Sequence, residues 1–120
     1  MKAIQDIEPT EKLLKCLQAA KRRISGEYNV DRIVLFGSVA TGQFDHESDV
    51  DILIVLKDHP SHRIRNRIST IILDINLEYD ANLSGLVVDK KSWDDGPLSV
   101  LPIHDEVERE GILILKRGEL

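Results

Sequence analysis

With Cys16 as its lone cysteine, this chain can form neither an internal disulfide nor a cysteine-based zinc site, and a reducing, cytoplasmic setting is the expectation. No stretch approaches the ~20 consecutive apolar residues of a membrane span. The early acids Asp6 and Glu8 do not fit a secretory leader, so a soluble protein away from membranes is expected. Basic residues are outnumbered, 16 Lys and Arg against 21 Asp and Glu, for a net charge of −5. That balance argues against a broad nucleic-acid surface, which relies on clustered cations. The densest basic group, Lys21-Arg22-Arg23, reads as the end of a helix, where cations suit the macrodipole. Repeats, linkers and low-complexity tracts are also missing. At 120 residues the expectation is one domain, 1–120, with no room for a separate substrate-binding domain.

What is present is a regular alternation of helical and extended patterns. Pro9 suits a first helical turn, and Leu13, Leu14, Leu17, Ala20 and Ile24 recur at helical spacing until Gly26, where the pattern is expected to stop. After Pro60-Ser61, Ile64, Ile68, Ile71, Ile72 and Ile75 form a second apolar stripe, with Arg63, Asn66, Arg67, Asp74 and Glu78 on its polar side. Ile33-Val34-Leu35-Phe36 and Ile52 to Leu56 read as buried strands, and Ala81 to Val88 as another extended segment. Trp93 to Pro97 reads as a loop, and a short helix from Ile103 to Glu110 is expected to end at Gly111 before Ile112-Leu113-Ile114-Leu115. Such an order predicts an α/β or α+β sandwich, a small mixed sheet with helices packed on it.

The chemistry is concentrated between the first two strands. Gly37-Ser38 follows the first, and Asp49-Val50-Asp51 opens the second after a gap of ten residues. Side chains two apart on a strand share a face, so Asp49 and Asp51 are expected side by side, with Val50 and Ile52 turned into the core. Two adjacent carboxylates repel, and either share a proton or recruit a cation. A hard divalent ion such as Mg2+ suits their oxygens and keeps room for substrate phosphates. Gly37 lets a triphosphate approach the backbone, the Ser38 hydroxyl and following amides can donate to phosphate oxygens, and Gly42 permits the return turn. A calcium loop fails, because Leu53 and Ile54 stand where oxygen ligands would be needed. A Walker loop fails too, because Val39-Ala40-Thr41 follows Ser38 without the required lysine.

With Gly37-Ser38, Gly42 and Ser48-Asp49-Val50-Asp51 placed on strand, turn and strand, the chain resembles the minimal nucleotidyltransferases of the DNA polymerase beta superfamily. The strong motif covers Ile33 to Leu56, and the order of elements and the closing Glu110-Gly111-Ile112 extend the likeness over most of the chain. The resemblance implies that Gly37 and Ser38 hold a nucleoside triphosphate and that Asp49 and Asp51 bind two Mg2+ ions. It also implies a third carboxylate on the neighbouring strand. Asp80, at the opening of the extended segment, is preferred for that role over Asp74, which lies in the helical pattern. Thr41 departs from the family, which often has a basic residue before the second glycine. Lys57, Arg63, Arg65 and Arg67 could answer phosphate charge, although each reads as an ordinary surface cation.

The implied reaction is Mg-dependent transfer of AMP from ATP to a hydroxyl. Since family members of this size are commonly paired with a helical HEPN toxin, the resemblance implies a protein adenylyltransferase antitoxin acting on a tyrosine of such a partner. The rival is a non-catalytic nucleotide-binding antitoxin or subunit that neutralises its partner by contact. His59 and His62, three apart, could share a helical face but lack further ligands for a metal site. His46 lies in the loop between Ser38 and Asp49 and reads as a surface residue. Trp93 is either a partner anchor or a plug against the core, and an oligomer is left open.

Overall fold

The computed structural model describes residues 2–42 and 49–116; His46 and Ser48 therefore lie outside the described residues. Thr10 starts helix α1 (Glu11–Glu27) by accepting a hydrogen bond from the Leu13 amide at 3.1 Å. Its apolar stripe, Leu13, Cys16, Leu17, Ala20 and Ile24, is buried. Gly26 does not end it: the helix continues to Glu27, and the chain turns extended only at Tyr28. Strands β1 (Val30–Phe36) and β2 (Val50–Leu56) follow, then α2 (His62–Tyr79), capped by Ser61, whose hydroxyl accepts from the Ile64 amide at 3.2 Å. Strand β3 (Leu83–Asp89), α3 (Lys90–Asp94), α4 (Pro102–Glu110) and β4 (Ile112–Leu115) complete the chain.

The sheet order is β3-β2-β1-β4, with β1 antiparallel to β2 and β4, and β2 parallel to β3. This is the expected mixed sheet with helices packed on it. Alternation along the strands divides the core in two. Ile33, Leu35, Ile52, Ile54 and Leu56 pack with α1 and α2, while Val34, Leu53, Val55 and Val88 pack with Trp93 of α3 and Val107 of α4. Helices thus cover both faces, and β2, buried on both, reads as an unbroken apolar run. Cross-helix ion pairs join α1 to α2 on the outside: Arg23 to Glu78 at 2.6 Å and Arg67 to Glu27 at 2.9 Å. Lys21-Arg22-Arg23 accordingly lies before the last turn of α1, and no basic residue occupies that turn.

The segment around Trp93 is helical rather than a loop. Asp89 caps α3 by accepting from the Ser92 amide at 3.0 Å, and Trp93 is then driven into the second core cluster. Its indole donates to Glu108 at 2.9 Å and its ring lies 4.6 Å from that of His104, so Trp93 is a plug rather than an exposed anchor. Nearby, burial alone would lower the pKa of the Arg32 guanidinium, but hydrogen bonds to Asp94 and Asp31 raise it instead and keep the group charged. Burial would raise Asp89, but the Ser92 donors and His59, 3.2 Å away, outweigh it and hold the carboxylate down to about 2. His59 therefore precedes α2 and serves that carboxylate, and it does not share a helical face with His62.

The β2–β3 register is held from the end of α2. The Asn76 side chain donates to the Leu83 carbonyl at 3.0 Å and accepts from the Leu83 amide at 2.8 Å, so one amide clamps both backbone groups of the first β3 residue. Leu83 in turn stands in register with Val50, next to Asp51. Asn76→Ala would leave two half-buried backbone groups without these partners. A loss of about 1–3 kcal/mol in urea unfolding is expected, and an unchanged midpoint would show that the clamp contributes nothing.

Candidate functional site

The antiparallel pairing of β1 and β2 sets Phe36 directly opposite Asp51. The chain then leaves β1 through Gly37 at φ +79°, in the left-handed region that glycine alone enters without strain. Space as well as backbone requires glycine here: a Cβ at position 37 would stand 2.5 Å from Asp51 Oδ2. The turn is therefore laid against the carboxylate. Ser38 is exposed at its tip, while Val39 and Ala40 are buried in the larger core cluster and anchor the far side. Thr41 closes the turn by donating its hydroxyl to the Ser38 carbonyl at 3.0 Å, and the Gly42 amide donates to Val39 at 3.1 Å. Thr41 thus has a structural task at the place where the resemblance implies a cation.

Asp51 is half-buried and its pKa is raised, first by desolvation, then by the charge of Asp49 and then by that of Glu106 on α4. Asp49, exposed, stands just before β2, close enough for its charge to act on Asp51. Asp80 does not join them. Helix α2 ends at Tyr79 with Asp80 as its left-handed cap at φ 51°, and β3 begins only at Leu83. The β3 residue in register with Asp51 is Ser84, whose side chain shares its face of the sheet. Asp74 is exposed on α2. Among the described residues no group of three or more His, Cys, Asp and Glu side chains is gathered for a metal ion.

Two carboxylates, one of them raised by burial and by its neighbour, suit one hard divalent cation, which would relieve the repulsion. A three-carboxylate, two-ion site of the expected kind does not match a β3 that offers serine. The phosphate-answering cations named from sequence are engaged elsewhere in two cases: Arg65 donates to the Val87 carbonyl at 2.7 Å, and Arg67 pairs with Glu27. Lys57 and Arg63 are exposed. An open cavity of about 550 Å³ on this face of the sheet lies around Asp31, Arg32, Asp94, His104 and Glu108, four residues back along β1 from Phe36, and its guanidinium is already bound by two carboxylates. Sequence reasoning missed Glu106, because nothing in an amphipathic helix pattern tells which sheet strand its flank will overlook.

A family model described as the nucleotidyltransferase domain matches residues 13–109. The chain belongs to that family. This nucleotidyltransferase domain is 41% identical over 61 residues to one Methanocaldococcus jannaschii protein named as a candidate protein adenylyltransferase, the match covering 51% of the chain and 62% of the relative. A second protein of that organism, named likewise, is 34% identical over 77 residues, covering 62% of the chain and 51% of the relative. The matches thus span between half and two thirds of those relatives' length. In fold, the domain is similar to a candidate nucleotidyltransferase of Sulfolobus solfataricus, with TM-score 0.57, 20% identity, and coverage of 91% of this chain and 87% of that one. A structure described as a toxin-antitoxin with AMP-PNP aligns with TM-score 0.56 and 19% identity over 89% and 73% of the two chains. The fold is that of the family expected from the motif.

Two expectations follow from the geometry. Gly37→Ala should lower stability by about 1–3 kcal/mol from backbone strain and displace Asp51 as well. Gly42→Ala, at φ +78° with open space around it, should show the strain alone; equal losses in denaturant titrations of the two variants would contradict the close approach at Gly37. The raised pKa of Asp51 means that the folded state holds its proton more tightly than the unfolded chain does. Its contribution is present below the ordinary value of 3.8 and is lost as pH rises through the folded value, so at neutral pH the ionised pair opposes folding. In metal-free buffer at pH 7, Asp49→Asn should therefore stabilise by up to about 1 kcal/mol, and the gain should shrink as acid protonates Asp51. A destabilised variant in thermal melts at pH 7 would contradict that sign.

Proposed function

We propose that this domain transfers AMP from ATP to a hydroxyl of a partner protein, in the manner of an adenylyltransferase antitoxin acting on a tyrosine of a HEPN-type helical toxin. The observation that supports the reading is the packing of the Gly37 turn against the Asp51 carboxylate, a glycine turn suited to phosphate beside an acid suited to a cation. The Ser38 hydroxyl and the turn amides bind triphosphate oxygens, while the missing Cβ at Gly37 allows the phosphates to come close. Asp49 and Asp51 would hold Mg2+, which supplies charge neutralisation at the triphosphate and at the attacking oxygen. The acceptor oxygen bonds to the α-phosphorus as the bond to the bridging oxygen breaks, pyrophosphate departs, and the hydroxyl proton is taken up by a carboxylate or solvent. The names of the M. jannaschii relatives and of the toxin-antitoxin fold neighbour support the same reading. A cytoplasmic setting goes with it, and no helix among the described residues is long and apolar enough to cross a membrane.

Ser84 beside Asp51 favours a second reading, in which the domain binds nucleotide and neutralises its partner by contact alone. One experiment separates the two. The co-purified partner, incubated with the domain, ATP and Mg2+, should gain AMP on tyrosine by mass spectrometry, and Asp49→Ala with Asp51→Ala should lower the rate by about 10²-fold or more. An unmodified partner with the unaltered domain would sink the transferase reading. A double variant that still protects cells fully would establish the contact reading.

A further inference from the structure

Helix α2 carries two leucines that the core does not use. Its isoleucines pack into the larger core cluster, but Leu73 is 56% and Leu77 75% exposed. Both belong to an outward stripe of Arg63, Asn66, Thr70, Leu73, Leu77 and Asp80, exposed at every position. Steps of three and four residues alternate along it, the spacing at which two helices meet along a seam. The charges of α2 also run against its own macrodipole. Arg63, Arg65 and Arg67 stand in the N-terminal half, which has no acid, while Asp74, Glu78 and the capping Asp80 stand at the C-terminal end, which has no base. A helix by itself favours the reverse. Neighbours within the chain answer part of this arrangement: Arg65 donates to the Val87 carbonyl, Arg67 pairs with Glu27, Glu78 pairs with Arg23, and the charge of Asp74 acts on Arg67. The side chains of Arg63 and Asp80, at the two ends of the stripe, have neither a hydrogen bond nor an ion pair among the described residues.

We propose that α2 pairs antiparallel with α2 of a second copy of this chain along this stripe. The spacing of the stripe is the same in both directions, so a two-fold axis between positions 71 and 72 sets Arg63 against Asp80, Asn66 against Leu77 and Thr70 against Leu73 of the other copy. Each contact then occurs twice, as in any isologous pair. The basic half of one helix lies on the acidic end of the other, which answers the inverted charge pattern, and the two exposed leucines leave water. A parallel pair would instead oppose like charges. The neighbouring sheet edge is a poorer route to a second copy. Strand β3 is an edge strand, but Asn76 already holds both main-chain groups of Leu83 and Arg65 takes the Val87 carbonyl, so a strand added there would have to displace these bonds. A contact made by one helix of 18 residues, about 27 Å long, is small, and small interfaces are reversible. The inference stands apart from the nucleotide reading.

Its test is analytical ultracentrifugation of the full chain alone, from about 1 μM to about 1 mM, where a monomer–dimer equilibrium is expected. Leu73→Gln with Leu77→Gln, which keeps good helix formers at exposed positions, should weaken association by about tenfold or more. Arg63→Glu should weaken it too, by setting an acid against Asp80, and adding Asp80→Asn, which the left-handed cap tolerates, should recover part of the loss. Engineered cysteines check the direction of the pair. Thr70→Cys lies beside the axis and should cross-link to its own copy on mild oxidation, whereas Arg63→Cys, about 25 Å from its copy along the helices, should not. A chain that stays monomeric over the whole range overturns the proposal, and so does ready cross-linking of Arg63→Cys. A monomeric chain whose leucine variant loses a co-purified partner protein assigns the stripe to that partner and overturns the pairing equally. Should the leucine variant alter the thermal melt, the two cysteine variants decide: cross-linking of Thr70→Cys alone supports the pair, and none at either position overturns it.

Discussion

An antiparallel pair of strands normally lets residues face each other at a distance that suits two ordinary side chains. Between β1 and β2 that spacing is used up at one end, where the backbone at Gly37 is pressed against the Asp51 carboxylate. Everything around the site is consistent with holding that approach. Val39 and Ala40 bury the outgoing turn, Thr41 and Gly42 close it, and β2 is buried from Ile52 onward, directly after Asp51. The partial burial that raises the pKa of Asp51 follows from the same constraint, since a carboxylate roofed by backbone has little room for water.

The second constraint comes from the other edge. Parallel strands need a crossover, and α2 supplies it, but the helix also decides where β3 begins. Its left-handed cap at Asp80 and the Asn76 clamp on Leu83 together place Ser84, and no acid, beside Asp51. A shift of one residue would turn every β3 side chain to the opposite face, so the identity of the residue next to the site depends on a few hydrogen bonds made 7 residues apart in sequence.

These two constraints explain what could be read from sequence and what could not. Gly37, Asp49 and Asp51 were legible because glycine after an apolar run and acids spaced by two carry their geometry locally, and the structure brings the turn and Asp51 together. The first three strands and the three longer helices were legible from periodicity. Asp80 misled because an extended segment and a helix end cannot be told apart to within a few residues, and at this position those few residues separate a strand from a cap. The α3 helix was hidden behind Asp94-Asp95-Gly96-Pro97, which looks like a loop, whereas the deciding signal was Asp89 capping it from upstream. Glu106 and the Arg32 network were invisible because both depend on where α3 and α4 settle on the sheet, a matter of long-range packing.

The position of β4 has a consequence for timing. β1, which ends at the site, is an inner strand only because Ile112–Leu115 pairs with it: Leu35 faces Ile112 across the sheet, and Ile33 faces Leu115. Until those residues have left the ribosome, β1 exposes one edge and α4 has no completed sheet to settle on. Contacts joining such distant parts of a chain form late. The end of β1 that carries the Gly37 turn therefore gains its second neighbouring strand only after Ile112–Leu115 has been made.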